Sequence, residues 1–353
     1  MVQGKDVRKT LDLSTLNTLA LPCIASNALV FETLTHAENE LPRLIFDEPP
    51  LVFGGGSNLI LPQKLTRPLI RFVSPQLQFH TQSSDHVIVE ADAGVVWDDL
   101  VAQTVGRGLR GLENLSLIPG TVGAAPVQNI GAYGVEIADC LLDVYVYDFQ
   151  RKTFFTLRPE ECDFGYRDSV FKQQLGRYLI LRVRLNLSTV KPFQLDYGEL
   201  RSLASETVLK AEQSRELNVE RVRQRVIEVR QAKLPDPELL PNAGSFFKNP
   251  LIHAEHLSAL LEIFPKLIYY PLSNGEIKLA AGWMIDHAGW KGFRHGAVGV
   301  HDKQALVIVN HDDATQKEIL ELAHRIQGSI QNMFQVTLEI EPIVIEAALA
   351  NGA

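Results

Sequence analysis

Methionine, tryptophan and cysteine are scarce, with three of each in 353 residues. Cys23, Cys140 and Cys162 are odd in number and far apart, and no Cys-x-x-Cys pair exists. That signals neither a disulfide framework nor a cysteine zinc site. Free thiols in a reducing compartment are expected instead. The ten histidines are scattered. His253 with His256, and His287 with His295, lack acidic or cysteine partners at ligand spacing, so no metal is expected. No run of about 18 apolar residues is present, so no membrane span is expected. The first residues, Met-Val-Gln-Gly-Lys-Asp, lack a basic stretch ahead of an apolar core, so no signal peptide and a cytoplasmic location are expected. Positive charge is short: 34 Lys and Arg face 42 Asp and Glu, a net −8. This argues against a nucleic-acid or anionic-membrane partner, while leaving room for a local basic pocket. Internal repeats and low-complexity tracts are absent.

What is present fits a soluble chain of two or three domains. Short apolar runs, Ala28–Phe31, Leu51–Phe53 and Leu69–Phe72, read as buried strands of a small α/β unit. His86–Ala91 opens a second region, followed by Trp97, Leu100, Val101 and Val105 at helical spacing with Gly106 as a stop. Leu141–Tyr147 and Tyr178–Leu185 read as strands. Residues 210–231 read as a charged helix with a Val219, Val222, Val226 and Val229 stripe, ended by Lys233-Leu-Pro-Asp-Pro237. In the third region, Ala305–Val309 reads as a strand. Thr315-Gln-Lys-Glu318 is a capping box opening a helix that buries Ile319, Leu322, Ile326, Ile330 and Met333. Val336–Val344 reads as a closing strand.

Three segments have no packing period. Gly54-Gly-Gly-Ser-Asn58 follows a strand, and its glycines let backbone approach a ligand while successive amides form an anion-binding nest. It is neither Gly-x-Gly-x-x-Gly nor a P-loop, and a tight, glycine-rich turn is the lesser reading of it alone. Residues 116–134, Ser-Leu-Ile-Pro-Gly-Thr-Val-Gly-Ala-Ala-Pro-Val-Gln-Asn-Ile-Gly-Ala-Tyr-Gly, must bury irregular backbone whose amides need partners. A large planar ligand with a pyrophosphate would supply them, as would a self-satisfied Ω-like loop. Asn242-Ala-Gly-Ser-Phe-Phe-Lys-Asn-Pro250 presents a hydroxyl, a cation and amides from a turn. Ser245 lies outside Gly-x-Ser-x-Gly, so a nucleophilic role is not indicated.

In order, the first two segments resemble the FAD-binding domain of the vanillyl-alcohol-oxidase type (the PCMH fold). Together with Tyr166-Arg-Asp-Ser-Val-Phe171 and the 242–250 turn, the chain resembles the UDP-N-acetylenolpyruvoylglucosamine reductases, flavoenzymes of bacterial wall synthesis. The resemblance runs from Asn17-Thr18 to Glu341. It implies a mixed α/β (α+β) fold of three domains: residues 1–74 with 335–353 as one FAD lobe, 75–233 as the other, and 234–334 as an α/β substrate cap. It implies FAD held by Gly54, Gly55, Gly56, Ser57, Asn58, Ser116, Pro119, Gly120, Thr121, Gly123, Ala124, Ala125, Asn129, Gly131, Ala132, Tyr133 and Gly134.

The implied reaction is NADPH-dependent reduction of UDP-N-acetylglucosamine enolpyruvate to UDP-N-acetylmuramate, an oxidoreductase step of peptidoglycan synthesis on which cell shape and division depend. NADPH would pass a hydride to the flavin and leave, and the flavin would then deliver it to C3 of the enolpyruvyl group. The resemblance gives Arg167 and Glu341 the charge at C2 to stabilise, and Ser245 the proton to donate there. Substrate would meet Tyr197, of the tyrosine loop that marks the family's first subtype, and Lys233, Asn249, Tyr270, Lys291 and Gln304. Family members commonly read Leu-Glu-Pro-Glu-Val near the end. Here Leu338-Glu-Ile-Glu-Pro-Ile343 shifts the proline, and Glu339 and Glu341 share a strand face, so the carboxylate is assigned by register alone. A monomer is expected. Two other readings stand beside this one: another FAD oxidoreductase of the superfamily acting on an alcohol, lactone or sugar, and an inactive nucleotide-sugar binding module.

Overall fold

The computed structural model describes residues 8–203, 217–272 and 274–347. Its first sheet centres on Ile24–Phe31. Lys9–Asp12 pairs with that strand antiparallel, and Leu69–Phe72 and Lys64–Leu65 pair with it parallel. Leu51–Val52 then adds in parallel to Leu69–Phe72. Leu13, Ala25, Ala28, Phe53 and Leu69 fill a small core beneath it. The end of the chain returns to this unit, where Ile343–Val344 pairs with Leu59–Ile60.

The second sheet is antiparallel throughout, in the order Thr153–Leu157, Leu141–Asp148, Tyr178–Ser188, His86–Asp92, Leu77–Thr81. The helix Trp97–Val105 and the 3₁₀ segment Val122–Gln128 share its core. The buried aspartates of this sheet each carry an arginine: Asp148 with Arg177, Asp92 with Arg182, and Asp143 with Arg184. Such pairing is what allows a carboxylate to leave water.

The third body holds two three-stranded sheets and the helices Ala254–Ile263, Ala281–His287 and Gln316–Phe334 around Phe246, Phe247, Leu279, Met284 and Ile326. The capping box is formed: the Thr315 hydroxyl oxygen accepts from the Glu318 amide, and Glu318 accepts from the Thr315 amide. The helix Val219–Lys233 buries Val219, Val222, Val226 and Val229, capped by Asn218. Its expected start near 210 lies outside the described residues.

The structure corrects three expectations and adds one strand. Met333 is 42% exposed, because the helical period from Ile330 turns Phe334 inward instead. The closing strand reduces to Ile343–Val344 with a lone bridge at Ile340, since Pro342 has no amide to continue a ladder. The strand expected at Ala305–Val309 falls at Ile308–Asn310. The edge strand Leu77–Thr81 has only half-buried and exposed residues, so it carried no apolar signal. All three thiols are buried and free, and burial pushes Cys162 up to about 12.

Candidate active site

A cavity of about 610 Å³ lies where the three bodies meet. Its first wall is the turn after Leu51–Val52. Gly56 sits at φ +62°, and a β-carbon there would lie 2.3 Å from the Leu16 carbonyl oxygen. Gly54 and Gly55 press on Thr121 and Gly120, where added β-carbons would approach to 2.9 and 3.0 Å. Ser57 Oγ donates to the Pro119 carbonyl at 3.1 Å. The glycines are therefore required by the fit of two loops as well as by any ligand. The amides of residues 54–58 donate no hydrogen bond among the described residues.

The second wall is 118–131. It is held from behind by Trp97 Nε1 donating to the Leu115 carbonyl and by the Leu117 amide donating to Asp98. Arg223 grips the same Asp98 through two 2.8 Å bonds. Leu117 takes φ +59°, a strained value for a leucine.

The third wall carries charge. Arg167, itself at φ +57°, donates from Nε to Glu341 at 3.1 Å and from Nη2 to the Gly131 carbonyl at 2.6 Å. Lys172 Nζ donates to the Arg167 carbonyl at 3.0 Å and so holds that turn. Opposite, Phe246 and Phe247 are buried anchors that leave Ser245 on the cavity side. Ser245 Oγ makes no hydrogen bond among the described residues. Glu341 reaches this end because its amide donates to the Phe246 carbonyl.

Residues 236–345 match the family model of the UDP-N-acetylenolpyruvoylglucosamine reductase C-terminal domain, and residues 46–153 match that of an FAD binding domain. A Pseudomonas aeruginosa protein of the reductase name is 50% identical over 83% of this chain and 85% of its own length. One from Chromobacterium violaceum is 43% identical over 96% of this chain and 98% of its own. The chain belongs to the UDP-N-acetylenolpyruvoylglucosamine reductase family. The crystal structure of the Thermus caldophilus reductase superposes with a TM-score of 0.66 at 26% identity, covering 96% of this chain and 99% of that one. This reductase family member is a mixed α/β, multi-domain, FAD-containing oxidoreductase.

The residues present fit FAD. Five consecutive backbone amides without partners among the described residues suit a pyrophosphate, whose oxygens would accept from them. Gly54 to Asn58, Pro119, Thr121, Gly123, Ala124, Ala125 and Gly131 line the cavity. Ser116 does not, since its buried hydroxyl donates to the Glu113 carbonyl. Gly120 turns against Ser57. Asn129, in the left-handed region, bonds Glu136 and the Gly165 carbonyl behind the wall. Ala132 pairs with Val135, while Tyr133 and Gly134 face Tyr197 and Gln194.

Of the substrate-side residues, Asn249 lines the cavity, and its Oδ1 accepts from the Ala281 amide. Tyr197 stacks on Tyr270 at 6.5 Å, with Lys278 5.9 Å from the Tyr270 ring centre. Lys233 is not brought in, because it pairs with Glu199. Lys291 pairs with Asp286, and Gln304 accepts from the Leu306 amide. Glu339 and Glu341 do not share a face. Glu341 lines the cavity with its side chain 12% exposed, whereas Glu339 points outward at 67% toward Lys248. Burial lifts the Glu341 carboxyl above its ordinary value despite Arg167 and Lys172. Sequence reading missed Tyr166, Lys278 and Arg230. Arg230 had a faint signal, since it lies two helical turns from Arg223 beside the valine stripe.

Among the described residues, no helix is long and apolar enough to cross a membrane, and no group of three or more His, Cys, Asp or Glu side chains is placed to hold a metal ion.

Proposed function

We propose that this reductase converts UDP-N-acetylglucosamine enolpyruvate to UDP-N-acetylmuramate with NADPH, as a step of peptidoglycan precursor synthesis. The observation that carries the reading is the meeting of Arg167, Glu341 and Ser245 at one end of the FAD cavity. Bound FAD would supply the hydride relay between NADPH and the enolpyruvyl carbon.

The chain's own groups then have separable tasks. Arg167, pinned by Glu341 and the Gly131 carbonyl, presents a fixed cation to the substrate carboxylate, so developing charge is met by a preorganised donor. The Glu341 carboxyl, which burial makes a better proton holder, polarises the same group. Ser245, free of partners among the described residues, donates its proton to the carbon left electron-rich. Tyr197, Tyr270 and Asn249 would take the nucleotide-sugar side, and Lys233, Lys291 and Gln304 would have to exchange their present partners to join them. We take 1–74 with 335–353, 75–233 and 234–334 as the three domains, with cores shared across their borders: Leu29, Phe31 and Ile70 pack with the second, and Leu19, Leu21 and Ile60 with the third. We take the enzyme to be a cytoplasmic monomer that engages neither nucleic acid nor membrane.

Ser245→Ala tests the assignment. In stopped flow, flavin bleaching by NADPH should stay within about twofold of wild type. Recovery of the flavin bands on adding the enolpyruvyl sugar should slow by about a hundredfold or more, the range of a lost general acid. Equal slowing of both halves would remove Ser245 from proton transfer. Bands that bleach and never recover in the wild type would favour an oxidoreductase acting on another substrate.

A further inference from the structure

Three arginines line the cavity: Arg67, Arg167 and Arg230. Arg67 donates to the Pro49 carbonyl and lies near Glu48 and Glu346. Arg167 has Glu341. The Arg230 guanidinium donates no hydrogen bond among the described residues, and its Nε is buried. Its nearest carboxylate influence is Asp98, which Arg223 already holds with two bonds. Burial works against its charge, and Arg167 adds repulsion. A buried cation of this kind is retained only where an anion arrives to meet it. Among the described residues no carboxylate bonds it, which leaves the bound ligand to carry the anion.

Two anionic features of the ligands are already served: the free amides of residues 54–58 suit the pyrophosphate, and Arg167 suits the substrate carboxylate. Arg230 lines the cavity with Leu234, Ala243 and Ser245, at the end where chemistry is assigned. The diphosphate of the nucleotide sugar is assigned above to the Tyr197 and Tyr270 side, and at this end a further negative charge would arise during the reaction. Hydride from NADPH would bring two electrons and one proton to bound flavin, so that once NADP⁺ left the ring would carry one net negative charge.

We propose that Arg230 is the fixed cation that balances the charge the flavin ring acquires on reduction, favouring the reduced over the oxidised cofactor. This rests on the functional reading above.

The test is anaerobic equilibration of the holoenzyme with a reference dye, for wild type, Arg230→Gln and Arg230→Lys. At a fixed potential, the reduced-to-oxidised ratio should fall at least tenfold in Arg230→Gln, about 30 mV for two electrons. Arg230→Lys should recover most of it. An unchanged ratio in Arg230→Gln overturns the proposal, and if KM for the enolpyruvyl sugar rises alongside, Arg230 belongs to the substrate carboxylate. Should Arg230→Gln purify without flavin, its apoprotein is titrated separately with oxidised and reduced FAD. A tenfold greater loss of affinity for the reduced form supports the proposal, and equal losses overturn it. Wild-type protein that takes up no FAD would instead sink the functional reading itself.

Discussion

The two sides of the cavity are built from different materials. One is backbone: the 54–58 turn and the 118–131 segment interlock through glycines and offer unpaired amides. The other is side chain: Arg167, Glu341, Ser245 and Arg230 offer charge and a proton on a frame of buried phenylalanine and valine. Backbone amides cannot be titrated or moved far, so the first side sets shape and receives a fixed anion. Side chains in poor solvent respond to charge, so the second side can follow a reaction. Damage to the first should appear as lost stability and lost cofactor. Damage to the second should appear as lost rate with the fold intact.

The sharpest separation comes from Glu341→Gln. Turnover should fall by about a hundredfold to a thousandfold, the scale of a removed charge-stabilising group, while FAD stays bound. Stability should move with pH in a defined sense. Burial raises the folded carboxyl above its ordinary 4.5, so the folded state binds its proton more tightly than the unfolded state does. The stability Glu341 contributes is complete below that ordinary value and is lost as pH climbs through the raised one. The glutamine variant has no such loss. Its thermal midpoint should therefore gain on wild type as pH rises from about 4.5, and a gap that narrows or stays constant would contradict the burial-raised carboxyl.

Next in size is Gly56→Ala compared with Gly108→Ala. Both glycines have positive φ, yet a β-carbon at Gly108 meets nothing within 4 Å while one at Gly56 meets backbone at 2.3 Å. Gly108→Ala should cost about 1 kcal/mol for the left-handed conformation alone. Gly56→Ala adds overpacking and should cost about 3 kcal/mol or more, with FAD released on gel filtration. Equal losses would mean that the interlock yields easily and the wall is softer than its contacts imply.

The same division explains what could be read before any coordinates. A backbone wall leaves local marks, because glycine is demanded where φ is positive or another loop presses close, so Gly54–Asn58 and 119–131 stood out. The Trp97 helix and the Thr315 capping box were likewise local. The charged wall has no local mark. Arg167 and Glu341 are 174 residues apart and meet only through the chain's return onto the first unit. Family likeness named that pair, but it could not separate Glu341 from Glu339. Arg230 went unseen because an arginine in an arginine-rich helix reads as a solvated face, and only packing reveals that this one points inward.

The smallest predicted effect settles the choice between the two glutamates. Glu339 is mostly exposed, and its 2.5 Å partner Lys248 is not. An exposed pair contributes about 0–1 kcal/mol, so Glu339→Gln should cost no more than that and leave turnover within about twofold. Its trace should be electrostatic. Lys248 already pulls the Glu341 carboxyl downward, against burial. Without Glu339, that pull is less neutralised, and the carboxyl should titrate slightly lower. The alkaline limb of the pH–rate profile, where the Glu341 proton is lost, should shift slightly toward acid with the plateau height unchanged. Loss of turnover in Glu339→Gln with retention in Glu341→Gln would reverse the register and hand the carboxylate's role to the outer residue.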